Sequence, residues 1–362
     1  MGERALFSGG GEFHREIRSR VAAALPESRV RRGRYDAAFK SAILGAWAIG
    51  SYLALLFVAD RVWLIVPLGV SLAVALAGVG FSIGHDANHD ALFGRRRVNR
   101  ILGFSFDLIG ASSYVWRTKH NTAHHSFTNV VGADDDIDQM PLARFAPDQP
   151  LRFYHRFQHI YLWPLYGMFT IRHHLVGDFS SVLFGKQIGG ITKLPPPSRG
   201  ELVVFFLGKA LFWTWALIIP LLLHPWWAVI VTFLGVSWIT GFIMATTFQL
   251  AHCVDEAAFT TVDRLREGEA TGWAAHQVES TVDFATGSRV LAWYLGGLNF
   301  QIEHHLFPRV CHVHYPHLLA VVRETCAEFG VRHVAQPTVR SALASHTRWL
   351  RQMGSRTATS AS

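Results

Sequence analysis

Twenty of the 362 residues are histidines, and their spacing says more than their number. His85-Asp86-Ala87-Asn88-His89 sets two imidazoles four residues apart, and His120-Asn121-Thr122-Ala123-His124-His125 sets three at i, i+4 and i+5. Gln301-Ile302-Glu303-His304-His305 adds two more beside an amide. On a helix, residues four apart share a face, so each cluster can aim its rings into a volume the size of a metal ion. Seven imidazoles exceed what one tetrahedral ion takes, which implies two metals. Imidazole suits zinc, copper, iron or nickel, and spacing does not choose among them. The three cysteines, Cys253, Cys311 and Cys326, form no CxxC pair, which disfavours a cysteine-based zinc site and fits a reducing context. A lone HxxxH is more often a packed pair than a ligand pair. His155 and His159 repeat that spacing and read as packing at headgroup level. The case for chemistry rests on three clusters occurring together near the ends of apolar runs.

Those runs are the scaffold. Half of the chain is hydrophobic, 17% is charged and the mean hydropathy is +0.21. With 26 Phe and 12 Trp, disorder is excluded, and three cysteines exclude a disulfide scaffold. Residues 41–59 and 62–84 carry no charge, separated only by Asp60 and Arg61. Residues 202–223 carry only Lys209, expected to snorkel, and residues 226–250 carry none. Each run can cross a hydrocarbon core of about 30 Å at about 1.5 Å per residue. The first begins too late and runs too long for a signal peptide. The expected fold class is an all-α membrane protein: four transmembrane helices as two hairpins, with a helical cap holding the metal site. His252 ends the fourth span beside the exit of the second and supplies an eighth imidazole.

The net charge of +8 raises nucleic acid or an anionic surface as partners. Arg29, Arg31, Arg32, Arg34 and Lys40 precede the first span, and Arg95, Arg96, Arg97 and Arg100 follow the second. Flanking charge of this kind is a topology signal; it places the histidines in the cytoplasm and removes the reason to expect nucleic acid. The same arginines suit anionic headgroups first and an acidic redox protein second. Residues 101–116, interrupted by Asp107, are too short to span, and residues 153–171 read as a helix lying in the interface. The chain from Pro337 is polar and expected to be loosely ordered at its end.

The boxes HDANH, HNTAHH and QIEHH, with the flanking sequences WRTKHNTAHHSFTN and GGLNFQIEHHLFP, resemble the membrane fatty acid desaturase family from about residue 40 to about residue 330. Gln301, where a first histidine would stand, resembles the front-end and acyl-lipid branch, including bacterial linoleoyl-CoA desaturase-like proteins. The resemblance implies a division into residues 1–40 as a cytoplasmic segment, 41–336 as the desaturase domain and 337–362 as a polar tail. It implies an oxidoreductase of unsaturated fatty acid biosynthesis, with two Fe ions and O2 as co-substrate. The ligands it implies are His85, His89, His120, His124, His125, His252, His304 and His305. Gln301 would contribute directly or hold a ligand, with His276 and Asp86 standing behind the ligands. Asp134, Asp135, Asp136 and Asp138 are either supporting carboxylates or a solvated acidic loop.

The implied substrate is a fatty acyl chain on CoA, on acyl carrier protein or in a lipid. Many relatives carry a fused cytochrome b5 domain marked by HPGG. The only His-Pro here is at His224, so electrons are expected from a separate ferredoxin or cytochrome b5 with its reductase. The implied location is a bacterial cytoplasmic membrane, multi-pass, with the site facing the cytoplasm. Two rivals stand beside this reading: a hydroxylase or acetylenase on the same scaffold, and a haem-binding membrane electron-transfer protein. The second needs histidines facing each other inside the spans, whereas these clusters lie at span ends.

Overall fold

The computed structural model describes residues 7, 11–185, 187–188, 192–268 and 272–355. Among the described residues, four helices are long and apolar enough to cross a membrane: Glu27–Phe57, Val62–Asn88, Arg199–Leu223 and Trp226–His252. The protein is an all-α integral membrane protein. The spans form two hairpins whose turns meet, His224 Nε2–H donating to the Leu56 carbonyl at 2.9 Å. Both intervening segments of the cap therefore lie at the opposite end. The first span begins at Glu27, earlier than its uncharged run, because nothing in 27–40 breaks a helix.

Ile49, Phe57, Trp63, Val66, Leu222 and Val231 are exposed on the outer faces of the spans, as a lipid-facing surface requires. The inner faces use small residues for close approach. A methyl group added at Gly241 would lie 2.6 Å from the Gly167 carbonyl oxygen, so the fourth span can touch the segment 158–184 only through glycine.

That segment is a run of short helices, Gln158–Tyr166, Met168–Arg172 and Asp178–Phe184, joined by a π turn at His173–Gly177. It packs on the fourth span, with Thr170 Oγ1–H donating to the Ser237 carbonyl at 2.6 Å. Two expectations change here, and a third is extended. His155 is wholly buried, its ring accepting from Arg152 N and donating to the Pro141 carbonyl, so it is a core histidine and not a headgroup-level one. Lys209 does not snorkel. It is 4% exposed and donates to Asp178 at 2.9 Å and to the Gly110 carbonyl at 2.7 Å, so its ammonium is satisfied inside the protein. The polar stretch after Pro337 folds as the helix Val339–Met353, started by a Thr338–Ser341 capping box and burying Ala342, His346, Trp349 and Leu350 on one side, while the loose order expected at its end concerns residues 356–362, outside the described residues. Its composition is polar, but its apolar residues recur at helical spacing.

Short strand pairings tie the cap together. Val130–Val131 runs parallel to Thr260–Thr261, and Asp283–Phe284 runs parallel to Ala335–Gln336. The first joins the loop after the second histidine box to the chain leaving the fourth span.

Candidate metal centre

The three boxes sit on helical segments whose winding, not only their spacing, aims the rings. A π turn at Gly80–Gly84 immediately precedes His85 in the second span. At Gly84 a methyl group would lie 2.4 Å from the Phe106 ring, so the turn can seat against the cap only because that residue is glycine. The second box begins on a short α-helix, Ser113–Trp116, capped by the Ser112 side chain, and continues as a π-helix over Arg117–His124. In a π-helix the repeat is i→i+5, so His125 falls in line with His120: its N–H donates to the His120 carbonyl at 3.0 Å and the two rings meet edge-on. The two Nε2 atoms are 3.2 Å apart. α-Helical winding would have turned His125 away from its partner. The third box is the short, wholly buried helix Gln301–Leu306.

The structure brings all eight histidines to one place. Ring centroids are 4.5 Å apart for His85 and His304, 4.8 Å for His89 and His125, 4.3 Å for His125 and His305, and 4.6 Å for His124 and His252. Donor atoms of His85, His89, His120 and His304 lie within 4.8 Å of one another. The same holds for His124, His252 and His305, and for His125 with His304 and His305. Two separate groups of donors are thus joined by a third that shares His304 with one and His305 with the other, enough for two ions side by side.

The rings are held from behind. His304 Nδ1–H donates to the Tyr315 hydroxyl at 3.2 Å, His305 Nδ1–H to Gln277 Oε1 at 2.9 Å, and His124 Nδ1–H to Asp134 at 3.0 Å. His85 Nδ1–H faces Asp86 Oδ1 at 3.3 Å. Anchoring Nδ1 leaves the lone pair on Nε2, and the Nε2 atoms of His85, His89, His304 and His305 are buried without a hydrogen-bond partner. Buried polar atoms are ordinarily satisfied, so four inward-facing orphans in one cluster are what a metal ion would complete. Burial also holds His120, His125, His304 and His305 well below the usual histidine range, which keeps their lone pairs free. For His124 burial acts downward, but the adjacent Asp134 and Asp136 outweigh it and push the ring up to about 9.

The remaining expected residues separate. Gln301 does not stand apart as an extra donor: its Nε2 lies 2.9 Å from His252 Nε2 and holds that ring. His276 is outside the cluster, its Nε2–H donating to the Thr128 carbonyl at 2.8 Å. Of the acidic loop, Asp134 is buried and also accepts from the Asn129 and Asp136 amides, Asp135 pairs with Lys119, and Asp138 is exposed. Tyr315 and Gln277 were not foreseen. They lie on separate elements, with no spacing that ties them to the boxes.

An apolar cavity of 880 Å³ opens from this centre. It runs from His85, His120, His124 and His252 between the two hairpins to Asp60, Arg61 and Trp227 at their turns. Along the fourth span, Trp227 to His252 is about 37 Å at about 1.5 Å per residue. Trp116 stands where cavity and centre meet, stacked on His120 at 4.4 Å and edge-on to His85 and His89. A long, apolar space ending at imidazoles suits an extended hydrocarbon chain.

The fatty acid desaturase family model matches residues 61–337. The chain is 35% identical over 345 residues to the sn-1 linoleoyl-lipid 6-desaturase of Arthrospira platensis, covering 94% of this chain and 92% of that protein. It is also 35% identical to the enzyme of the same name from Synechocystis sp., over 97% and 98% of the two chains. An acyl-lipid (8-3)-desaturase from Physcomitrium patens is 40% identical over 317 residues, covering 86% of this chain and 65% of that longer protein.

Proposed function

This chain belongs to the fatty acid desaturase family and is an oxidoreductase acting on fatty acyl chains, and we propose that it does so with two iron ions. The ions are held by His85, His89, His120, His124, His125, His252, His304 and His305. The observation that carries this reading is the set of four buried, partnerless Nε2 atoms, three of them on rings fixed through Nδ1, beside an apolar cavity that reaches His85. Iron bound there supplies the capacity to reduce O2 and to abstract hydrogen from an unactivated C–H bond, which no acid or base side chain provides.

The chain's own residues do the rest. The cavity walls hold the hydrocarbon extended, and its register against the histidines selects the carbons that react. Phe106 and Trp116 close the space beside the rings against water. Two hydrogens leave adjacent carbons, and O2 with two electrons and two protons leaves as water. The electrons come from a separate donor, a ferredoxin or cytochrome b5 with its reductase. The site faces the cytoplasm of a bacterial cell, since Arg29, Arg31, Arg32, Arg95, Arg96 and Arg97 crowd the span ends on its side.

The acyl chain is carried in a membrane lipid. The support is the similarity over nearly full length to linoleoyl-lipid desaturases, together with a cavity that lies between the spans, where a lipid chain already is. The test is expression in a bacterium of known lipid composition fed linoleate, with gas chromatography and mass spectrometry of separated lipid classes. A new double bond appearing first in intact glycerolipid is the expected result. A hydroxylated or triple-bonded chain without an alkene, or a Soret band with stoichiometric haem in the purified protein, overturns the reading.

A further inference from the structure

One hydrogen-bonded chain leaves the metal centre and ends on a buried cation in the first span. Asp86 Oδ1 faces His85 Nδ1 at 3.3 Å, and its Oδ2 accepts from both the amide and Nδ1–H of His312, at 2.9 and 2.7 Å. On the far side of that ring, His312 Nε2 lies 2.8 Å from Lys40 Nζ. All four side chains are buried; Lys40 is 3% exposed and Asp86 1%. A lysine in this position is not needed for topology, because the neighbouring arginines are exposed and serve that purpose. It is also costly to bury unless it is paired or hydrogen-bonded.

The directions of these bonds follow from the donors alone. An ammonium has only N–H groups to offer, so His312 Nε2 must accept and its proton must sit on Nδ1. Asp86, as a carboxylate, only accepts, so it receives Nδ1–H from His312 on one oxygen and from His85 on the other. His85 is left with its lone pair on Nε2, the atom that is buried without a partner in the cluster. Charge balances along the chain, with the ammonium at one end and the carboxylate in the middle. Asp86, Cys311 and His312 also approach closely enough to suggest a separate ion. An ammonium 2.8 Å from the free ring nitrogen and two engaged carboxylate oxygens oppose a second cation there.

We propose that Lys40 is a positioning residue for the metal centre, setting the tautomer of His312 and, through Asp86, that of His85, so that His85 Nε2 is presented to metal. The inference rests on the assignment of His85 as a ligand. Nothing in the spacing of the boxes points to Lys40, which lies 45 positions before His85 and outside every motif.

The test is anaerobic Fe(II) titration of the full chain in detergent or nanodiscs, beside Lys40→Met and Lys40→Arg. Methionine keeps the length and apolar bulk without a donor and favours insertion, whereas arginine keeps a donor. Lys40→Met is expected to bind Fe(II) about tenfold more weakly or worse, the range found for residues behind a metal ligand, and Lys40→Arg to stay close to the unaltered protein. A second measurement needs no variant: 15N shifts of labelled imidazoles should show His312 protonated on Nδ1 and bare on Nε2. Unchanged affinity in Lys40→Met, or His312 protonated on Nε2, overturns the proposal. If the unaltered protein takes up no iron, the metal assignment itself has failed. If it binds two irons and Lys40→Met binds them equally well, only the role of Lys40 has failed.

Discussion

Tyr315→Phe removes one oxygen from the protein and isolates what anchoring a ligand contributes. Tyr315 is 1% exposed and packs among Phe300, Ile302 and Leu318, so phenylalanine fills the same space. Its hydroxyl accepts from His304 Nδ1–H at 3.2 Å. Without it, the metal-bound protein must keep a buried N–H unsatisfied, whereas the metal-free ring can move its proton to Nε2 and escape the cost. The penalty therefore falls on the bound state. An unsatisfied buried donor costs about 1–3 kcal/mol, and about 1.4 kcal/mol is tenfold, so Fe affinity should fall about 5- to 140-fold. The assay is equilibrium dialysis against a competing chelator with iron counted per chain, alongside the melting temperature of metal-free protein. The expected result is weakened iron binding with unchanged melting. Equal iron affinity in Tyr315→Phe and unaltered protein would refute the argument that Nδ1 anchoring prepares His304 to bind.

Two other predictions follow from the same structure. His124→Ala and His305→Ala should each lose iron and activity while inserting normally, because the spans do not depend on the metal. His159→Ala, outside the cluster, should retain both, as measured by iron content and product yield in membranes. For the buried pair of Lys209 and Asp178, Lys209→Met leaves a carboxylate that is 1% exposed with His173, at 2.8 Å, as its remaining side-chain partner and should destabilise the fold by about 1–3 kcal/mol. Lys209→Met with Asp178→Asn should recover most of that loss in a denaturant or thermal melt. Equal stability of the single and double variants would show that the pair is not coupled.

How legible the protein is from its residues depends on the range of the interaction. The spans are local statements. An uncharged run of about twenty residues has no low-energy alternative to a helix in lipid, and its composition shows it directly. The histidine boxes are local too, since each is a short spacing on one element. What was misjudged depended on a partner elsewhere in the chain. Lys209 alone in an apolar run reads as a snorkelling lysine until Asp178 is found beside it, and His155 reads as interfacial until Arg152 and Pro141 enclose it. The helix Val339–Met353 was obscured by average polarity, although its buried residues keep helical spacing.

By itself, then, the sequence determined the elements and the donors: four spans, three boxes and an eighth histidine at the end of the fourth span, with the resemblance those boxes carry. Tertiary contacts, by contrast, choose the free nitrogen of His85, His124, His304 and His305. That choice depends on Tyr315, Gln277, Asp134 and Asp86, and behind Asp86 on His312 and Lys40. The physical reason is that an imidazole has two inequivalent nitrogens, and the hydrogen bond on one decides the state of the other. Asp86, Asp134 and Tyr315 are near their histidines in the chain, but Gln277, His312 and Lys40 lie 28, 226 and 272 residues from the groups they bond and leave no spacing to read.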